Sequence, residues 1–112
     1  MRRIVGPLLI AGLILVTSGS VRPSRAQDVT LVSMNSDLFA PIVITINAGA
    51  TVVWSNDEPD PRNSHNIIIP GLGIESPLVF PGEAWSFTSG APGTFEYFCD
   101  LHEGMVGQLI VQ

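Results

Sequence analysis

The stretch "GTFEYFCDLHEGMVGQLIVQ", Gly93 to Gln112, decides how this chain is read. Its first part is rich in aromatic and β-branched residues and carries the alternation of a strand. Successive side chains of a strand point to opposite faces, so Phe95, Tyr97 and Cys99 share one face and Thr94, Glu96 and Phe98 the other. Glu96 marks the second face as partly solvated, which turns Cys99 inward at the strand's end. The pattern then breaks into a loop that carries His102 and Met105, each three residues after the last. "GQLIVQ" (Gly107 to Gln112) resumes the strand pattern and ends the chain. A tight turn between two strands of a rigid sandwich is the setting that could hold a thiol, an imidazole and a thioether together.

Upstream, short apolar runs alternate with Gly, Pro, Asn and Asp. "VTLVSM" (Val29 to Met34), "IVITIN" (Ile42 to Asn47), "TVVWSN" (Thr51 to Asn56), "HNIII" (His65 to Ile69), "AWSFTS" (Ala84 to Ser89) and "GTFEYFC" (Gly93 to Cys99) all read as strands. Strict alternation puts Ile42, Ile44 and Ile46 on one face. "AGA" at 48–50 and "GAPG" at 90–93 read as turns, and "DEPDPRNS" (Asp57 to Ser64) as a polar, Pro-broken loop. The connection from Pro70 to Glu83 leaves room for one helical turn at most. No segment keeps a helical period, so the expected class is all-β, a sandwich or barrel.

The N-terminus reads differently. Met1-Arg2-Arg3 is a short basic start, Ile4 to Val16 is almost wholly apolar, and Ser24 and Ala26 fit the small residues before a signal-peptidase cut. The apolar core is shorter than the roughly 20 residues of a membrane span. We therefore expect residues 1–26 to be a cleaved export signal and 27–112 a single domain; an uncleaved N-terminal anchor is the alternative. Maturation would remove Arg2, Arg3, Arg22 and Arg25, leaving Arg62 as the one base against ten acids, a net −9. Such a surface repels nucleic acid and anionic lipid, and it either steers basic partners or serves solubility. Cys99 is the only cysteine, and an exported chain needs a reason to keep a free thiol: burial or a metal.

Taken singly, Cys99 and Met105 read as core, and His65 and His102 as strand-end or loop residues. Together they change the reading. A thiolate, two imidazoles and a weak axial thioether form a ligand set suited to copper in electron transfer. Cys99, His102 and Met105 supply three members, and the only other histidine, His65, follows a polar loop at the start of a run of apolar residues.

"YFCDLHEGMVGQLIV" resembles the C-terminal copper loop of the cupredoxins, the type 1 (blue) copper proteins. "FAPIVITINAGATVVWSNDEP" (Phe39 to Pro59) is similar to their second and third strands, "SHNIII" to the first histidine motif, and "LVFPGEAWSFTSGAPGTFEYFC" to the hairpin that leads to the cysteine. The resemblance is to amicyanin- or plastocyanin-like members, and the short spacing from His102 to Met105 is like amicyanin. It implies a Greek-key β-sandwich of about seven to eight strands and one type 1 copper ion. It also implies His65 and His102 as imidazole ligands, Cys99 as thiolate ligand, Met105 as axial ligand, and Asn66 as the link between the two ligand loops. Trp54 and Trp85 are expected in the core. Gly104 and Gly107 are expected to permit tight turns, and Asp100 and Glu103 to be solvated.

The function so implied is a periplasmic or otherwise exported shuttle of single electrons that transforms no substrate. Its redox partners would be a c-type cytochrome or a dehydrogenase, and it would be a monomer with no nucleic acid and no membrane insertion of the mature chain. The alternative is a copper carrier or buffer that delivers metal to another exported protein. Carriers more often show open Met- or His-rich clusters, whereas only Met34 and Met105 follow the signal here. An enzyme is not expected: with both histidines assigned, no second copper site can be built.

Overall fold

The computed structural model describes residues 28–112; the expected export signal, 1–26, lies outside them. Nine strands and one short 3-10 helix follow in order: β1 (Val29–Asn35), β2 (Leu38–Ala40), β3 (Val43–Ile46), β4 (Thr51–Asn56), β5 (Ile68–Ile69), the 3-10 helix Pro70–Leu72, β6 (Ile74–Glu75), β7 (Ala84–Thr88), β8 (Gly93–Phe98) and β9 (Val106–Val111). They form two sheets, β2-β1-β4-β7 and β3-β9-β8-β5-β6. Both sheets are mixed: β1 runs parallel to β4 and β3 parallel to β9, while the remaining pairs are antiparallel. The chain changes sheet between β2 and β3, β3 and β4, β4 and β5, β6 and β7, and β7 and β8, which makes an all-β sandwich.

Alternation builds the core. Along β4, Val52, Trp54 and Asn56 are buried while their neighbours are half-buried, and β9 repeats the pattern with Gly107, Leu109 and Val111. Val32 and Met34 of β1 meet Phe39, Ile44, Ile46, Ile67, Ile69 and Tyr97 between the sheets. Each such side chain gains about 1.5–3 kcal/mol over exposure. Trp54 packs edge-on to Tyr97 with centroids 5.6 Å apart, Phe39 does so at 4.8 Å, and Trp54 lies 5.5 Å from Trp85. The tryptophans are thus packing residues, as the sequence suggests.

Three local departures have physical causes. Ile42 is exposed rather than inward, because the chain is crossing between sheets there and β3 begins one residue later. The run "HNIII" forms a ladder only at Ile68–Ile69: His65 makes an isolated bridge to Val79, and the Ile67 N–H donates to the Ser76 hydroxyl at 2.9 Å. The third is the β1–β2 hairpin, which the sequence does not announce. Its two loop residues, Ser36 and Asp37, have φ of 55° and 56°, the geometry of a two-residue hairpin that normally calls for Asn-Gly. A carboxylate from elsewhere holds it in place, as the site shows.

Candidate metal centre

β8 delivers Cys99 to one end of the sandwich, where the ladder with β9 stops at Phe98–Val106. The loop between them is tied across itself: the Cys99 N–H donates to the Met105 carbonyl at 3.0 Å, and the Met105 N–H to the His102 carbonyl at 3.2 Å. Gly104, with φ 84°, supplies the left-handed step the turn needs. Gly107 does something else. It lies inside β9 opposite Tyr97, and a Cβ there would fall 2.4 Å from the Tyr97 ring, so the residue makes room for the phenol and turns nothing.

His65 reaches the same place from the segment that follows the polar loop after β4. Its N–H donates to the Val79 carbonyl at 3.1 Å and its carbonyl accepts from Val79 at 2.7 Å. The Nδ1 atoms of His65 and His102 stand 3.2 Å apart, and Cys99 Sγ lies 3.8 Å from the first and 3.6 Å from the second. These three residues form a group able to hold a metal ion. His65, Cys99 and Met105 are buried. His102, with its side chain 25% exposed, reaches solvent.

Asn66 joins the two segments. Its side-chain amide donates to Asp100 Oδ1 at 2.9 Å and accepts from the Asp100 N–H at 3.1 Å, while its own N–H points at Cys99 Sγ from 3.5 Å. Asp100 and Glu103 are exposed, as expected, though Asp100 is also engaged by Asn66.

The sequence reading missed Glu58. It sits in the polar loop after β4, yet its side chain is only 4% exposed. Oε2 lies 2.8 Å from His65 Nε2 and accepts the Asp37 N–H at 2.9 Å; Oε1 accepts the Ser36 N–H at 3.1 Å. Burial opposes ionisation of this carboxyl, but the Asp37 N–H, the His65 ring and the Ser36 N–H together outweigh it and hold its pKa below the ordinary carboxylate value. The same bonds stabilise the left-handed residues of the β1–β2 turn. The Asp37 carboxylate, carried by that turn, lies 3.6 Å from His102 Nε2.

The donor set fits a metal on its own chemistry. A carboxylate can only accept, so a His65 ring with one N–H that bonds Glu58 donates from Nε2 and leaves its lone pair on Nδ1. That lone pair faces His102 Nδ1 and the Cys99 sulfur, a convergence of electron-rich atoms in a mostly buried place. A thiolate with two imidazole nitrogens, and Met105 beside them, is the set that suits one type 1 copper ion.

Comparison with known proteins agrees. A family model described as a cupredoxin-like domain matches residues 8–111. The chain is 32% identical to amicyanin-alpha of Methylorubrum extorquens over 92 residues, 80% of this chain and 75% of that protein. It is also 32% identical to plastocyanin of Prochlorothrix hollandica, over 94% of this chain and 86% of that one. Among solved structures, a reduced amicyanin variant superposes with a TM-score of 0.69 at 25% identity, covering 75% of this chain and 82% of its own. A purple cupredoxin from Nitrosopumilus maritimus shares the fold, with a TM-score of 0.66 at 24% identity over 74% and 99%. The chain belongs to the cupredoxin-like family.

Proposed function

We propose that this protein is an exported blue copper electron carrier, with His65, Cys99, His102 and Met105 as the ligands of a single copper. The observation that carries the reading is the convergence of two imidazole Nδ1 atoms and one thiol sulfur within 3.2–3.8 Å of one another, at a site where His102 alone opens to solvent. Bound copper supplies one-electron chemistry by passing between Cu(II) and Cu(I); the protein supplies the rest. Cys99 and the histidines are held in place by the backbone and Asn66 contacts before any metal arrives. This limits the rearrangement that a change of oxidation state can demand. Burial of His65, Cys99 and Met105 keeps water from the donor atoms. The partly exposed ring of His102, flanked by the half-exposed Leu101, offers the surface through which a partner would exchange electrons. A carrier that surrenders its metal is less well served by three buried donors than by open ones.

The partners that fit are basic redox proteins, such as a c-type cytochrome, or a dehydrogenase. All ten acids lie at or after Asp28, and Arg62, the one base in that part of the chain, is paired with Asp60 at 3.0 Å. The resemblance to exported cupredoxins, together with the apolar start of the chain, supports cleavage of residues 1–26 and a periplasmic or otherwise exported location. Among the described residues no helix is long and apolar enough to cross a membrane.

The test is the visible spectrum. Purified protein given Cu(II) is expected to develop an intense thiolate-to-copper band that dithionite bleaches reversibly. Cys99→Ser at matched copper loading is expected to stay colourless. An intense band that survives in the serine variant overturns the ligand assignment.

A further inference from the structure

We propose that Glu58 is the positioning residue of His65: its carboxylate accepts a hydrogen bond from the Nε2–H, fixes the ring with Nδ1 toward Cys99 and His102, and biases the site toward the oxidised metal. The inference rests on the copper reading above.

The geometry is specific. Glu58 Oε2 stands 2.8 Å from His65 Nε2, and the two side chains are 4% and 0% exposed, so no bulk water competes for the contact. The carboxylate cannot turn away, because the Asp37 and Ser36 N–H groups hold its two oxygens at 2.9 and 3.1 Å. Its backbone is held as well. The Glu58 N–H donates to Asn56 Oδ1 at 2.9 Å, and the Asn56 amide donates to the Val79 carbonyl at 2.9 Å. Val79 in turn brackets the backbone of His65. Asn56, Glu58, Val79 and His65 thus close a loop of bonds in which the imidazole is gripped at its backbone and at its distal nitrogen.

A ligand histidine that donates its other ring N–H to a carboxylate is fixed in tautomer and orientation and becomes a stronger electron donor. A stronger donor, backed by a buried negative charge, favours Cu(II) over Cu(I). Glu58 also ties this histidine to the β1–β2 turn, whose Asp37 stands by the other one. One carboxylate therefore sets one ligand directly and shapes the edge beside the second.

The proposal is tested on the protein as it exists and on two variants. In the metal-free protein at pH 8, long-range proton–nitrogen NMR is expected to find His65 as the Nε2–H tautomer with a slowly exchanging proton. An Nδ1–H tautomer, or averaging between the two, overturns the proposal without any mutation. In copper-loaded protein, Glu58→Leu removes both the bond and the charge, and Glu58→Gln removes the charge while leaving an oxygen able to accept. Cu(II) affinity is expected to fall about 10- to 100-fold in Glu58→Leu. The reduction potential is expected to rise in both, by about 59 mV for each tenfold by which Cu(II) is weakened more than Cu(I). A merely structural Glu58 would lower stability and leave the potential where it was, and that result refutes the positioning role. If the unmodified protein takes up no copper, the copper reading fails, and the tautomer of metal-free His65 still decides whether Glu58 positions the ring.

Discussion

Replacing Gly107 by alanine adds one methyl group at a place with no room for it. The new Cβ would lie 2.4 Å from Tyr97 Cζ, 2.6 Å from Oη and 2.8 Å from Cε2, all well inside contact distance. Relief would have to come from the ring, but Tyr97 is fully buried, with Phe39 and Trp54 set edge-on against it. Overpacking of this kind costs about 1–3 kcal/mol. The site belongs at the upper end, because three ring atoms rather than a flexible chain end are struck. Loss of glycine's unfolded-state freedom returns at most about 1 kcal/mol. The expected net loss is about 2 kcal/mol, and for a domain of this size each 1 kcal/mol lowers Tm by roughly 4–8 °C. Circular dichroism melting of metal-free Gly107→Ala should therefore fall by roughly 8–16 °C. A double-mutant cycle with Tyr97→Leu, which removes the struck atoms, should show a favourable coupling of about 1 kcal/mol or more. Unchanged melting in the single variant, or simple additivity in the cycle, would show that β9 shifts freely away from Tyr97 and that the glycine is not there for the ring.

Tyr97 has its own pH signature. Burial pushes its phenol from 10.0 up to about 12, and the Trp54 indole, the polar group turned toward it, makes no hydrogen bond with it. Because the folded-state value is raised, stability is intact below pH 10 and falls as pH rises from 10 to 12, by about 3 kcal/mol in all; melting curves of Tyr97→Phe should lack this fall, and parallel curves refute the assignment. Below pH 9 the same variant should cost little, since the hydroxyl it removes has no partner. Asn66→Ala severs both bonds to Asp100 and should lower the urea-unfolding free energy of the metal-free protein by about 1–3 kcal/mol; a loss under about 0.5 kcal/mol, below the range for even one such bond, would show that the two ligand segments are held together by packing alone. Electron exchange with a basic c-type cytochrome, followed by stopped-flow, should slow steeply as salt rises through the range where the screening length falls below about 10 Å. A flat response would make the acidic surface a matter of solubility.

What could be read in the sequence was whatever depends on neighbours along the chain. The period of two in "TVVWSN" and "GTFEYFC" places Trp54 and Tyr97 in the core because pleating alone sets which way they face. The spacing of Cys99, His102 and Met105 is equally local: one strand end and one tight loop bring the thiol and the imidazole into range and bury the methionine beside them. His65 could be added because the chain has no other histidine to offer.

What could not be read depends on partners far along the chain. Ser36 and Asp37 carry no glycine to signal a left-handed turn, and their conformation is held by Glu58, twenty-two and twenty-one residues away. Glu58 itself lies among Asp57, Asp60 and Arg62, where composition says solvent. Only the return of the chain past Val79 brings His65 onto it and removes it from water. Each hides the other: the turn reads as coil without the carboxylate, and the carboxylate reads as solvated without the turn and the histidine. Such an acid cannot be recognised by its own neighbours, but it can be recognised by need. A buried histidine that offers one ring nitrogen to a metal has its second ring nitrogen buried with it, and a buried N–H requires an acceptor. A search of the preceding loop for such a carboxylate narrows to Asp57, Glu58 and Asp60, and the fold selects Glu58.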